Sequence, residues 1–214
     1  MRPFSWLSLF FTVLLLSSLG CVTKPDYTNF FEYHPHSILV VPPANKTTAV
    51  DAPAIFLTTV SAAFAERGYY VFPVLLVQDI LNDLGATDEG AIAAIPPGKL
   101  KTIFGAESVL YVTITNWATS YLIFSASITV AAEYRLVDAA TETVLWTGQQ
   151  TVVFMPGAGG GPIGALVGAA IVAAGVPYRP FAIQANNEVV RRSGYGIPAG
   201  PYHPEFQKDR EQFK

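Results

Sequence analysis

The chain has 214 residues, a formal charge of −3, and 14% charged against 51% hydrophobic residues. Its Lys and Arg residues are thinly spread, with Arg191-Arg192 the densest point, and phosphate binding needs clustered cations, so the composition excludes a nucleic-acid binder. Ordinary soluble domains are about one quarter charged; so few charges predict a surface partly covered by a membrane, a partner or further copies of the chain.

Arg2, the apolar run over residues 4–16 and the small-residue stretch Ser17-Ser18-Leu19-Gly20 have the layout of a secretory signal. The run is shorter than the roughly 20 residues that cross a hydrocarbon core as a helix. Cys21, the sole cysteine, follows Gly20, the small residue of a lipoprotein cleavage site, although Ser18 stands where leucine is usual. Residues 1–20 are therefore expected to be a signal peptide and Cys21 the lipidated first residue of the mature chain. A covalent diacylglycerol and acyl chain on Cys21 would be its only added group, with no other cofactor. One acyl chain is a marginal anchor and several are a stable one. Val22-Thr23 in place of an aspartate points to the outer membrane.

Residues 21–36 read as a polar and aromatic tether broken by Pro25 and Pro35. Residues 37–41 are a continuous apolar run of the buried-strand kind. A helix is expected after Asp51 as N-cap, with Pro53 in its first turn, Leu57, Val60 and Phe64 on one face, and Gly68 ending it. Residues 69–73 predict a second strand. Val77, Ile80, Leu81 and Leu84 then form a helical stripe stopped by Gly85. After a linker, residues 97–104 predict a short helix capped by Gly105, and residues 109–117 a third strand. Ile128, Val130, Ala132, Tyr134 and Leu136 alternate with Ser127, Thr129, Ala131, Glu133 and Arg135, a half-buried strand by its period of two. Residues 143–154 return as its hairpin partner.

The expected fold class is α/β: a two-layer or three-layer sandwich with a mixed sheet ending in a long antiparallel hairpin, and helices mainly on one face. It forms one domain over residues 37–195, followed by a C-terminal tail over 196–214.

Between Met155 and Val176 there is no charged residue. Gly160, Gly164 and Gly168 recur every four residues, so a helix near 160–175 would carry a smooth ridge open to close approach by another backbone. Such a helix would be about 20 Å long, short of a roughly 30 Å hydrocarbon core. Packing within the core, an oligomer or partner interface, and insertion into a membrane as part of a pore all fit this pattern. Gly157-Ala-Gly-Gly-Gly161 lacks the lysine and hydroxyl residue of a phosphate loop.

No catalytic motif is present. His34, His36 and His203 lie near opposite termini, with no thiolate or carboxylate set to complete a metal site. Asp79, Asp83, Asp88 and Glu89 read as helix-surface and loop charges. Asn45-Lys-Thr47 matches a glycosylation sequon, which has little weight in a bacterial lipoprotein. Tyr69, Tyr70, Trp117 and Tyr121 could stack a glycan or small ligand, or serve as core. The reading is of a protein that is not an enzyme.

The segments Ser37-Ile-Leu-Val-Val-Pro-Pro-Ala-Asn45, Gly68-Tyr-Tyr-Val-Phe-Pro73, Ile103-Phe-Gly-Ala106, Tyr134-Arg-Leu-Val-Asp138 with Leu145-Trp146, and Gly200-Pro-Tyr-His-Pro204 resemble a family of bacterial outer-membrane lipoproteins that includes a neisserial surface-lipoprotein vaccine candidate. The likeness covers nearly the whole mature chain. It implies a fold similar to the amino-terminal domain of TolB and an envelope assembly or transport accessory facing the periplasm. It implies a protein partner, such as a curli-secretion-channel-like lipoprotein, and it supplies no catalytic residue. Self-association through Gly160, Gly164 and Gly168 is a further expectation.

Overall fold

The computed structural model describes residues 25–122, 125–157, 161–173, 175 and 177–213. Along them run α1 (Thr28–Tyr33), β1 (Ser37–Val40), β2 (Ala44–Asn45), α2 (Ala52–Glu66), β3 (Tyr70–Val71), α3 (Val74–Asp83), α4 (Glu89–Ala93) and α5 (Pro97–Phe104). There follow β4 (Ser108–Leu122), β5 (Ser125–Asp138), β6 (Val144–Phe154), α6 (Gly161–Ala173), α7 (Arg179–Arg191) and a 3-10 turn (Arg210–Phe213).

One mixed sheet has the order β3-β1-β4-β5-β6, with β2 against the middle of β4. β1 is parallel to β3 and β4, and such pairs need a crossover; α2 supplies one and α3 to α5 the other. The hairpin strands β4, β5 and β6 are antiparallel, so the mixed α/β sandwich is as the sequence predicts.

Side chains alternate along a strand, and β1 is apolar in both phases. Ile38 and Val40 join Phe56, Val60 and Phe64 of α2, Ala182, Ala185 and Val189 of α7, and Leu110, Tyr134 and Trp146 of the sheet. Leu39 and Val41 point the other way, to Val77 and Leu81 of α3, Ile92 of α4 and Leu100 of α5. The expectation of helices mainly on one face therefore holds only along the hairpin. Around β1 there are three layers, because its unbroken apolar run needs cover on both sides.

Asp51 occupies the N-cap position of α2, but its side chain caps no backbone N–H. The linker before residue 97 contains α4, capped by Asp88, whose carboxylate accepts the Ala91 N–H at 2.9 Å. α5 has the predicted bounds, closed by Gly105 at φ 75°.

The largest departures are at the two ends. Residues 25–36, expected as a tether, are docked. Tyr27 and Phe30 are 3% exposed, the Tyr27 hydroxyl donates to the Gly196 carbonyl at 2.7 Å, and the Asn29 amide donates to the Val144 carbonyl at 3.3 Å. The tail is docked too. Phe213 packs 4.8 Å from the Tyr27 ring, and the Arg210 guanidinium lies 4.9 Å from the centre of the Phe31 ring. Buried Asp209 accepts from Arg67 Nη2 and from the Ala199 N–H, both at 2.7 Å, while Arg67 Nε donates to the Ile197 carbonyl at 2.9 Å. The apolar and aromatic side chains in both segments drive this docking, and the packed domain extends to Phe213.

Candidate functional site

β5 places its polar phase, Glu133 and Arg135, on the face of the sheet that α2 and α7 leave open. Beside them stand Tyr111 and Thr113 of β4 and Thr147 and Gln149 of β6. With α4 and residues 42–46 as a rim, these strands line an open groove of about 790 Å³. Its charges are mixed: Lys46, Arg135 and Arg192 against Glu89 and Glu133. The Arg135 guanidinium lies 4.9 Å from the centre of the Tyr111 ring, a cation–π contact. Burial pushes the Tyr111 hydroxyl pKa up, and the Arg135 charge opposes that shift. Glu89 accepts the Asn45 N–H at 3.2 Å and so ties α4 to the rim.

Beneath the groove, on the other face of the sheet, the Tyr134 hydroxyl donates to Asn186 Oδ1 at 2.8 Å. Asn186 Nδ2 donates to Thr59 Oγ1 at 3.1 Å, and the Thr59 hydroxyl donates to the Phe56 carbonyl at 2.9 Å. Burial drives the Tyr134 hydroxyl far above the usual tyrosine range. The chain of bonds links β5, α7 and α2, and it satisfies each side chain inside the core. Its role is to set the sheet against the helices.

The residues singled out from sequence are dispersed. Cys21 and Gly160 lie outside the described residues. Gly164 falls within α6. Gly168 is buried, and a Cβ there would land on the Pro156 carbonyl, so this glycine admits the chain's own backbone rather than a partner's. His34 ends α1 in the left-handed region at φ 45°, and loss of solvation, then the Arg210 charge and His36, holds its pKa below the usual value. His36 Nδ1 lies 3.1 Å from Glu107 Oε2, and His203 Nδ1 accepts the Glu205 N–H at 3.1 Å. Among the described residues no three His, Cys, Asp or Glu side chains are grouped to hold a metal ion.

Asp88 caps α4, while Glu89 binds the rim. Asn45 is occupied by a local turn: its carbonyl oxygen accepts from the Thr47 N–H and hydroxyl, and its amide donates to the Ala49 carbonyl at 2.7 Å. Of the aromatics considered as stacking surfaces, Tyr69 is buried with its hydroxyl on the Pro198 carbonyl at 2.6 Å. Trp117 is buried and stacked on Tyr178 at 4.9 Å, and Tyr70 is exposed. The Tyr121 side chain lies outside the described residues, and the other three do not form one surface. The groove was visible in the sequence only as the polar phase of β5; nothing local linked that phase to Tyr111 or Lys46.

The Gly200 segment also has a geometric reason. Gly68, at φ 86°, abuts the His203 backbone, and Gly200 abuts the Gly68 carbonyl, so an added Cβ would collide at either place. The Gly200 N–H donates to the Arg67 carbonyl at 2.8 Å and the Tyr202 N–H to the Gly68 carbonyl at 3.0 Å.

Residues 25–179 match the family model described as "Putative lipoprotein GNA1162-like". The chain is 37% identical over 203 residues to "Putative lipoprotein NMB1124/NMB1162" of Neisseria meningitidis serogroup B, covering 91% of this chain and 94% of that protein. The crystal structure of lipoprotein GNA1162 from Neisseria meningitidis matches with 36% identity and a TM-score of 0.55, over 65% of this chain and 97% of that one. The chain belongs to the GNA1162-like lipoprotein family.

Proposed function

We propose that this protein is a lipid-anchored outer-membrane lipoprotein, facing the periplasm, that acts without catalysis as an envelope assembly or transport accessory. The observation that carries the reading is its membership of a lipoprotein family together with a sole cysteine, Cys21, directly after a signal-like segment. Acylation at Cys21 would leave only four residues before Pro25, the first described residue. Residues that extended span at most about 14 Å, so the anchor holds the domain close to its membrane.

The partner surface is the groove on the open sheet face. Its mixture of Arg135, Lys46, Glu133 and Glu89 with apolar Ile92 and Tyr111 suits an extended protein segment. A channel-like envelope lipoprotein is the partner class implied by the family resemblance. Affinity purification of the chain from solubilised membranes tests this reading. The expected result is an envelope protein that co-purifies with wild type and is lost with Arg135→Glu. Recovery of the same proteins with both, or of the chain alone, contradicts it.

A further inference from the structure

We propose that the apolar tip formed by the C-terminal end of β6 and the outer face of α6 rests in the interface of the bilayer that holds Cys21. The proposal depends on acylation of Cys21.

Three observations carry it. First, the tip shows large apolar side chains to solvent: Val153 is 50% exposed, Met155 55%, Leu166 59% and Ile171 48%. The inner side of α6 is already occupied, Val172 and Ala169 by the core and Gly168 by Pro156. No charged residue interrupts the sequence from Met155 to Val176. A helix apolar all round belongs in a core or a membrane, and here Leu166 and Ile171 have no cover among the described residues.

Second, the anchor lies along the same edge of the sheet. β6 is an edge strand. Asn29 binds the Val144 carbonyl near its start, and Pro25 lines the groove with Thr147, Gly148 and Gln149 farther along. From Gly148 to Phe154 the strand rises about 20 Å. Cys21 can lie up to about 14 Å from Pro25, about two thirds of that rise, so the acyl chains and the tip meet one bilayer surface when this uncharged edge strand lies along it.

Third, the geometry suits shallow contact and not a span. With 13 residues, α6 is about 20 Å long against a hydrocarbon core of roughly 30 Å. Among the described residues no helix is long and apolar enough to cross a membrane. Elements lying in the interface bury an apolar face only about 5–10 Å deep, a depth that needs no spanning helix. A second shallow contact would hold the groove at a fixed height instead of letting the domain pivot about Cys21.

With Cys21 acylated, an introduced cysteine is the only free thiol in the chain. The full acylated variants Ile171→Cys, Met155→Cys and Leu76→Cys are labelled with an environment-sensitive fluorophore in phosphatidylethanolamine–phosphatidylglycerol vesicles. Leu76 serves as the reference because it is exposed on α3, across the sheet from α6. Lipids with spin labels in their acyl chains should quench positions 171 and 155 severalfold more than position 76, and aqueous iodide should show the reverse order. Equal iodide access at 171 and 76 overturns the proposal. Protection of position 171 in native membranes but full iodide access in pure lipid vesicles also overturns it, assigning the tip to a protein partner. Incorporation of labelled fatty acid at Cys21 is read separately; its absence removes the anchor, and the proposal with it, whatever the probes report.

Discussion

Tyr27, Phe31 and Phe213 cover one another where α1 meets the C-terminal turn, whereas Met155 after β6 and Leu166 and Ile171 on α6 have no such cover among the described residues. Both regions are rich in large apolar side chains. The seam adds internal polar partners: Arg67 for Asp209, and backbone carbonyls for Tyr27 and Tyr69. The tip has no charged residue at all over some twenty positions. A region whose apolar groups cover one another is structural, and one that leaves them bare is arranged for something outside the chain.

Breaking the seam should have the largest effect. Asp209→Ala strands the Arg67 guanidinium, which is mostly shielded from water, and loss of one partner of a buried pair costs about 3–5 kcal/mol. Denaturant midpoints should show this, and Arg67→Met with Asp209→Leu should recover much of it. Tyr134→Phe comes next. It leaves Asn186 Oδ1 buried without its donor, a loss of about 1–3 kcal/mol, and a matching change in Thr59→Val that is not additive would confirm one network. Gly168→Ala forces α6 off the Pro156 carbonyl. Overpacking of this kind costs about 1–3 kcal/mol, and faster amide exchange should be confined to α6 and the end of β6.

Acid should loosen the seam through His34. Its folded pKa lies below the usual histidine value, so the unfolded chain binds the proton more readily. This contribution is complete above about pH 6.5 and is lost as the pH falls through that value toward the lower folded one. His34→Asn tolerates the left-handed backbone and should show a smaller drop in melting temperature between pH 7.5 and 5. The smallest effect belongs to the tip: Ile171→Ser should change stability by no more than about 0.5 kcal/mol, although it weakens the proposed bilayer contact.

Much of the sheet was legible because its signals are local. The period of two in residues 127–136, Gly105 after Leu100, Ile103 and Phe104, and the apolar run at 37–41 each specify an element without outside help. The ends were not legible. Tyr27 and Phe31 lie among prolines and polar residues, and nothing nearby shows that their partners are Gly196, Arg210 and Phe213, some 170 or more positions away. At Gly168 the glycine spacing was incomplete for a related reason. Spacing shows which residues share a helix face, but not that Pro156 already fills that face at Gly168. The groove required the fold itself, since β4, β5, β6 and α4 meet there from separate stretches of chain.

The central claim is that Cys21 is the acylated start of the mature protein. Mass spectrometry of the amino-terminal peptide from the membrane fraction tests it most directly. The expected peptide begins at Cys21 and carries diacylglycerol and an acyl chain. A mature chain that begins elsewhere, or an unmodified Cys21 thiol, would contradict it.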